Sequence, residues 1–343
     1  MPEVTLTGLR LDALTALFGS RTRALAARKW LCDVRPFPVA LPARVPGVTP
    51  KAWEPVRTES PLPEWRLVDR QQSVDGTVKL ALALADAAVE TVLIPAGERS
   101  TVCVSSQAGC TRHCVFCATA TLGFRRQLSA GEIVLQYLVA RAQAPAGQPP
   151  RNVVFMGMGE PMDNLDAVLE AVSILTDDGA PRLSSEHVTV STAGVLPGLE
   201  RFLRSSRAQI ALSLNATTDE QRERLMPHNR VWPIASLLGA LRVDHERSSR
   251  RRYFVEYVLW RGVNDTDEDA LRLVALLADL PAHVNLIPHN AFEGSAFEPP
   301  TPERVLEFQK IVHDGGVRCL VRWPRGREIA AACGQLALRG TGG

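Results

Sequence analysis

The sequence predicts an α/β protein, a partial (β/α) barrel preceded by a small N-terminal α+β accessory domain. Three observations lead there. From about residue 100 onward, apolar strands alternate with helical segments, as parallel βα units do. Before that, three strand-like stretches read as a small meander. Earlier still, apolar residues recur at helical spacing. The roughly six or seven βα units suit a whole or partial barrel better than an open sheet.

Taken in order, LRLDALTALF (9–18) and RTRALAARKWL (21–31) read as helices separated by Gly19-Ser20. The prolines of VRPFPVALPARVPGVTP (34–50) break regular structure. WRLVDRQQS, DGTVKLALAL and VETVLIP form the meander, with Asp75-Gly76 as a turn. The barrel strands are TVCVSSQ, NVVFMGM, HVTVSTA, QIALSLN, YFVEYVLW, HVNLIPHN and CLVRWP. Between them lie the helical segments EIVLQYLVARAQ, LDAVLEAVSIL, LPGLERFLRSS, DALRLVALLADL and PERVLEFQKIV. Ser129 with Glu132 fits a capping box, and Thr301-Pro302 fits an N-cap followed by proline.

The 343 residues are 45% hydrophobic and 22% charged, with a net charge of +2. That is ordinary for a globular chain, and any basic binding surface must be local. No apolar run has the length of a membrane span, and the first residues lack a signal-peptide pattern. A cytoplasmic, reducing setting is expected, where clustered cysteines serve metals or catalysis rather than disulfide staples.

Barrel chemistry sits at the C-terminal ends of strands. There the sequence places CTRHCVFC (110–117), GMGEP (157–161), Ser191, Ser213 to Asn215 with Leu214 between them, and Asn290. Cys110, Cys114 and Cys117 admit three readings: buried small side chains, a zinc site with His113 as a fourth ligand, or an iron–sulfur cluster with one iron left open. Taken bare, Cys333 in AACGQL and Cys103 in TVCVSSQ read as packing residues, and Glu90 reads as a solvent-facing strand residue. Cys32 and Cys319 read as packing residues.

The C-x3-C-x2-C spacing after the first barrel strand resembles the signature of the radical S-adenosylmethionine (SAM) superfamily. With SSQAGCTRHCVFCATATLGFRRQLSAGEIV, NVVFMGMGEPMDNLDAV, VTVSTAGVLPGL, ALSLNATTDEQRERLMPHNRVWPI, VNLIPHN and AACGQL, the chain from about residue 70 to 336 resembles the RlmN/Cfr family of RNA adenine methyltransferases. The resemblance implies a barrel of the radical SAM type and a [4Fe–4S] cluster on Cys110, Cys114 and Cys117, with SAM on the open iron. It implies SAM contacts at Gly159, Glu160, Ser191, Ser213, Leu214, Asn215 and Asn290. It further implies that one SAM methylates Cys333 and that a second, cleaved to a radical, activates that methyl for addition to the adenine ring. Glu90 then removes the ring proton, and Cys103 attacks the sulfur to release the base through a transient disulfide.

The resemblance also implies an RNA substrate, most directly the peptidyl-transferase adenosine of 23S rRNA at C2, with tRNA as a further target. It implies an electron donor such as flavodoxin, no membrane and a monomer. The domains are expected at 1–95 (accessory, RNA-binding), 96–329 (core) and 330–343 (the tail with the methylated cysteine). The rivals are C8 methylation of the Cfr type, a non-catalytic zinc or iron–sulfur RNA-binding protein, and another radical SAM enzyme such as a glycyl-radical activase. RSSRRRY (247–253), GFRRQ (123–127), Arg322, Arg325 and Arg327 are local basic groups expected to face either phosphates or solvent.

Overall fold

The computed structural model describes residues 5–248, 251–292 and 295–338. Three helices open the chain, α1 (Leu11–Phe18), α2 (Arg21–Asp33) and α3 (Pro50–Glu59). The proline-rich sequence hid α3. Pro50 occupies its first turn, where a backbone N–H has no helical partner in any case. The N-terminal segment docks on the barrel helices: Thr7 Oγ1 donates to Gly131 O at 2.9 Å, and buried Arg28 donates to Ile174 O at 3.0 Å.

The expected meander forms. Strands β1 (Trp65–Gln72), β2 (Val78–Leu84) and β3 (Ala87–Ala96) are antiparallel neighbours. β3 pairs antiparallel with β4 (Arg99–Cys103), the first barrel strand. The sheet is therefore continuous across residue 95.

After β4 the chain leaves the sheet. β5 (Gln107–Gly109) pairs with β6 (Phe124–Gln127), and the three-cysteine loop hangs between them. The alternation then runs α4 (Ala130–Ala142), β7 (Pro150–Phe155), α5 (Leu165–Thr176), β8 (Val188–Thr192), α6 (Leu196–Ser205) and β9 (Gln209–Ser213). Two helices absent from the sequence reading follow, the charged α7 (Asp219–Leu225) and α8 (Ile234–Arg247), which buries Ile234, Leu237, Leu238 and Leu241. β10 (Tyr253–Leu259), α9 (Asp267–Leu277), β11 (Ala282–Pro288), α10 (Pro302–Asp314) and β12 (Arg318–Val321) complete the fold. Both predicted caps form at α4 and α10.

Among the described residues the sheet order is β1-β2-β3-β4-β7-β8-β9-β10-β11-β12. From β4 through β12 all neighbours are parallel, which is the partial barrel expected. Tyr257 on β10 stacks on Phe308 of α10, so alternate residues of that strand, Phe254, Glu256 and Val258, face the interior.

Candidate active site

The C-terminal ends of β4, β7, β8, β9 and β11 build the mouth of the barrel. Beyond β4, Ser105 Oγ donates to Glu90 O at 2.7 Å and accepts from Met158 N at 2.9 Å. Gly157 N donates to Val104 O at 3.1 Å. A Cβ on Gly157 would lie 2.7 Å from Ser105 Oγ, so the two loops touch backbone to backbone. Gly109 has φ +74°, and a Cβ there would collide with Gly123 O; this lets Cys110 N donate to Gly123 O at 3.0 Å and closes the base of the cysteine loop.

Within the loop, Cys117 N donates to Cys114 O at 3.1 Å, and Arg112 N donates to Cys110 Sγ at 3.3 Å. Cys114 and Phe116 pack against Ala216, Leu225, Met226 and Trp260. Val115 N donates to Leu225 O at 3.1 Å, fixing the loop to α7. Burial pushes the Cys110 thiol up to about 12. Burial, then the neighbouring Cys117 and Cys110, push Cys114 well above the ordinary thiol range. His113 is exposed.

Gly159 has φ +100°, and its Cα lies so close to Gln107 that a Cβ would come within 2.6 Å of the Gln107 Cβ. Glu160 is buried. Its Oε1 accepts from Met162 N at 3.0 Å and its Oε2 from Ala193 N at 2.7 Å; burial raises its pKa and these N–H groups oppose the rise. Ser191 Oγ lies 3.5 Å from Ser213 Oγ. Leu214 is fully buried and its N–H donates to Glu256 O at 3.0 Å. Asn215 adopts φ +62°; its Oδ1 accepts from Val258 N at 2.9 Å. Asn290 is buried, donates from Nδ2 to Cys333 O at 3.3 Å, and leaves Oδ1 without a partner.

Cys333 lies on a turn of the tail rather than in a helix. Three hydrogen bonds pin that turn. Ala118 N donates to Gly334 O at 2.8 Å, Thr119 Oγ1 donates to Leu336 O at 2.7 Å, and Gln335 Nε2 donates to Ala291 O at 2.9 Å. The thiol opens to solvent yet is crowded by protein, and desolvation pushes it up to about 11, with Glu256 and Cys117 adding to the rise. Cys103 is buried at the end of β4. Its thiol is raised by burial first and by Cys333 second. Glu90 is buried, not on a solvent face. Its Oε1 lies 3.1 Å from Lys79 Nζ, and its Oε2 accepts from Ala337 N at 2.9 Å and Leu338 N at 3.1 Å.

Sequence reasoning missed Lys79, Arg222 and Glu256. A signal existed for Lys79, because a lone lysine and a lone glutamate sat in two adjacent apolar strands. Arg222 lay among the charges of DEQRERL, and Glu256 inside an apolar strand, with nothing to mark them. The RSSRRRY run lies at the opposite end of β10 from the thiols. Arg251 donates there to Ala208 O and Ser206 O at 2.5 Å each, and Arg247 to Leu203 O at 2.9 Å; Ser249 and Arg250 lie outside the described residues. Arg126 pairs with Asp86 and Glu132, and Arg322 donates to Asn285 Oδ1 at 2.9 Å. Arg125 and Arg327 are exposed.

A parallel partial barrel with a three-thiol loop after its first strand and a glycine-rich turn after its second defines a radical SAM domain. The sequence matches the family model for the Radical SAM superfamily over residues 104–274. It is 43% identical over 339 residues to the dual-specificity RNA methyltransferase RlmN of Anaeromyxobacter sp. (strain Fw109-5), covering 96% of this chain and 89% of that one. It is 46% identical over 276 residues to dual-specificity RNA methyltransferase RlmN 2 of Myxococcus xanthus (strain DK1622), covering 78% and 73%. Among solved structures it matches a radical SAM methyltransferase from Sphaerobacter thermophilus with TM-score 0.87 and 38% identity, over 97% of this chain and 99% of that one. The chain belongs to the RlmN family of radical SAM RNA methyltransferases.

That family implies an iron–sulfur cluster and SAM. The donor set here fits such a group. Three thiols lie within one eight-residue loop whose base is closed by Gly109 and Gly123, while His113 is exposed. Among the described residues no three potential ligands already converge on one point. Buried acceptor Asn290 Oδ1 still wants a donor, which a bound amino acid derivative has to offer.

Proposed function

We propose that this enzyme methylates C2 of an adenosine in RNA, in the peptidyl-transferase centre of 23S rRNA and in tRNA. The dual specificity in the relatives' names supports two RNA targets. The observation that carries the reading is the convergence on Cys333. The tail turn that bears it is tied at once to the cysteine loop, to Asn290 and to Glu90.

In this reading Cys110, Cys114 and Cys117 hold a [4Fe–4S] cluster, and the loops of Gly159, Glu160, Ser191, Ser213, Leu214, Asn215 and Asn290 hold SAM, two molecules per turnover. Cluster and SAM supply one-electron chemistry, which a ring carbon without nucleophilic character requires. The chain's own residues do the rest. Cys333 carries the one-carbon unit as a thioether and presents it to the adenine ring. Glu90 accepts the ring proton, and its Lys79 partner lies on the neighbouring strand. Cys103 attacks the Cys333 sulfur, the sulfur–carbon bond breaks with its electron pair going to carbon, and a proton completes the methyl group. The Cys103–Cys333 disulfide so formed is reopened by a reductant.

The same reading expects residues 1–95 to face RNA, 96–329 to form the core and 330–343 to carry the methyl. It also expects a flavodoxin-like electron donor, a monomer and a cytoplasmic setting. Among the described residues no helix is long and apolar enough to cross a membrane. Peptide mass spectrometry of the enzyme purified with its cluster tests the core of this reading. A methyl group on Cys333 is expected, and a Cys333 that is never methylated contradicts it.

A further inference from the structure

Arg222 is fully buried on α7, and every donor it uses meets a neutral acceptor. Nε donates to Leu214 O at 3.0 Å, Nη1 to Asn229 Oδ1 at 2.8 Å, and Nη2 to Ala193 O at 2.5 Å and Ser213 O at 3.1 Å. Among the described residues no carboxylate lies within ion-pair distance of it. Two act at one remove. Asp219 Oδ1 accepts from Asn229 Nδ2 at 2.8 Å, and Glu160 Oε2 accepts from Ala193 N at 2.7 Å, on the residue whose carbonyl Arg222 binds. The helix end that carries Arg222 is in direct contact with the cysteine loop: Cys114 packs against the hydrophobic cluster that contains Leu225 and Met226, and Val115 N donates to Leu225 O at 3.1 Å.

A buried guanidinium without a counter-ion is costly. Here burial draws the Arg222 pKa down to about 10. With its thiols protonated, the neighbouring loop offers this cation nothing negative. Metal ligation turns the same thiols into thiolates, and one-electron reduction adds a further negative charge.

We propose that Arg222 is the buried counter-charge of the three-thiol site, stabilising the reduced state of the cluster bound there. This rests on the reading of Cys110, Cys114 and Cys117 as cluster ligands. Arg222 acts through that site and is a positioning residue, since it also gathers the carbonyls of Ala193, Ser213 and Leu214. Charge and tethering must therefore be separated.

The experiment is a redox titration of the reconstituted cluster, followed by electron paramagnetic resonance, with iron content and the thermal midpoint of the cluster-free protein measured alongside. Arg222→Gln keeps part of the hydrogen bonding and loses the charge; Arg222→Lys keeps the charge and loses the fork. Both lower the thermal midpoint. Only Arg222→Gln is expected to move the potential clearly negative, with Arg222→Lys close to wild type. Asp219→Asn, which removes a negative charge and keeps the Oδ1 acceptor, is expected to move it the other way and decides the matter if Arg222→Gln does not fold. A loaded Arg222→Gln at the wild-type potential, an equal shift in both arginine variants, or an Asp219→Asn shift to more negative potential overturns the assignment. Wild-type protein that assembles no cluster overturns the cluster reading, and this assignment with it.

Discussion

Glu90 Oε2 accepts a hydrogen bond from Ala337 N at 2.9 Å, so the carboxylate proposed as the base also anchors the tail four residues beyond Cys333. Its other oxygen is paired with Lys79, and both side chains are buried. Removing one member of such a pair strands the other. Lys79→Met is expected to cost about 3–5 kcal/mol. The double variant Lys79→Met with Glu90→Gln should recover part of that, because no charge is then left alone. Denaturant unfolding of the three proteins checks this, and a single variant as stable as wild type contradicts it.

The two thiols divide the labour differently. Cys103→Ala is expected to accumulate a covalent protein–RNA adduct, because the sulfur–carbon bond then has no attacker. Cys333→Ala is expected to accumulate none, and both should lose methylated product. Denaturing gels with labelled RNA read this directly. An adduct in Cys333→Ala places the carbon carrier elsewhere.

Gly159→Ala probes the close approach of the β7 loop to Gln107. At φ +100°, a Cβ would come within 2.6–2.7 Å of Gln107 side-chain and backbone atoms. Strain and displacement together are expected to destabilise by about 2 kcal/mol. Glu160 follows directly in sequence, so SAM binding should weaken at least tenfold. Equilibrium dialysis with labelled SAM measures it; unchanged binding contradicts the placing of SAM on this loop.

Much of this was legible in the sequence. The βα alternation gave all seven parallel strands, because buried strands read as apolar runs. The capping residues at Ser129 and Thr301 marked their helices. α3 was hidden by its prolines, Pro50 in the tolerated first turn and Pro55 inside the helix, and α7 by its run of charged residues; α8 carried a readable stripe at Ile234, Leu237, Leu238 and Leu241 that went unread. The thiols and strand-end residues stood out by type and position. Lys79, Glu256 and Arg222 did not, because a charge inside an apolar or charged stretch declares its burial only when its partners, distant in sequence, are known.

Glu256 gives the account a pH signature. It faces the barrel interior, where burial raises its carboxyl from 4.5 to about 7, against the opposing pull of Asn285 and Arg322. The fold then binds this proton more tightly than the unfolded chain. Its favourable contribution is fully present below about pH 4.5 and is lost as pH rises to about 7. The loss across that window is about 3 kcal/mol. Glu256→Gln should lack it and be relatively more stable above pH 7, with the advantage vanishing towards pH 4.5. Parallel stability profiles for the two proteins contradict the assignment.

The reaction itself is open to nucleoside mass spectrometry. RNA containing the peptidyl-transferase adenosine is incubated with reconstituted enzyme, SAM and reductant, then digested and analysed. 2-Methyladenosine is expected, and is absent when Cys333 is replaced. A product methylated at C8 instead, or no methylated adenosine from an enzyme whose cluster is intact, contradicts it.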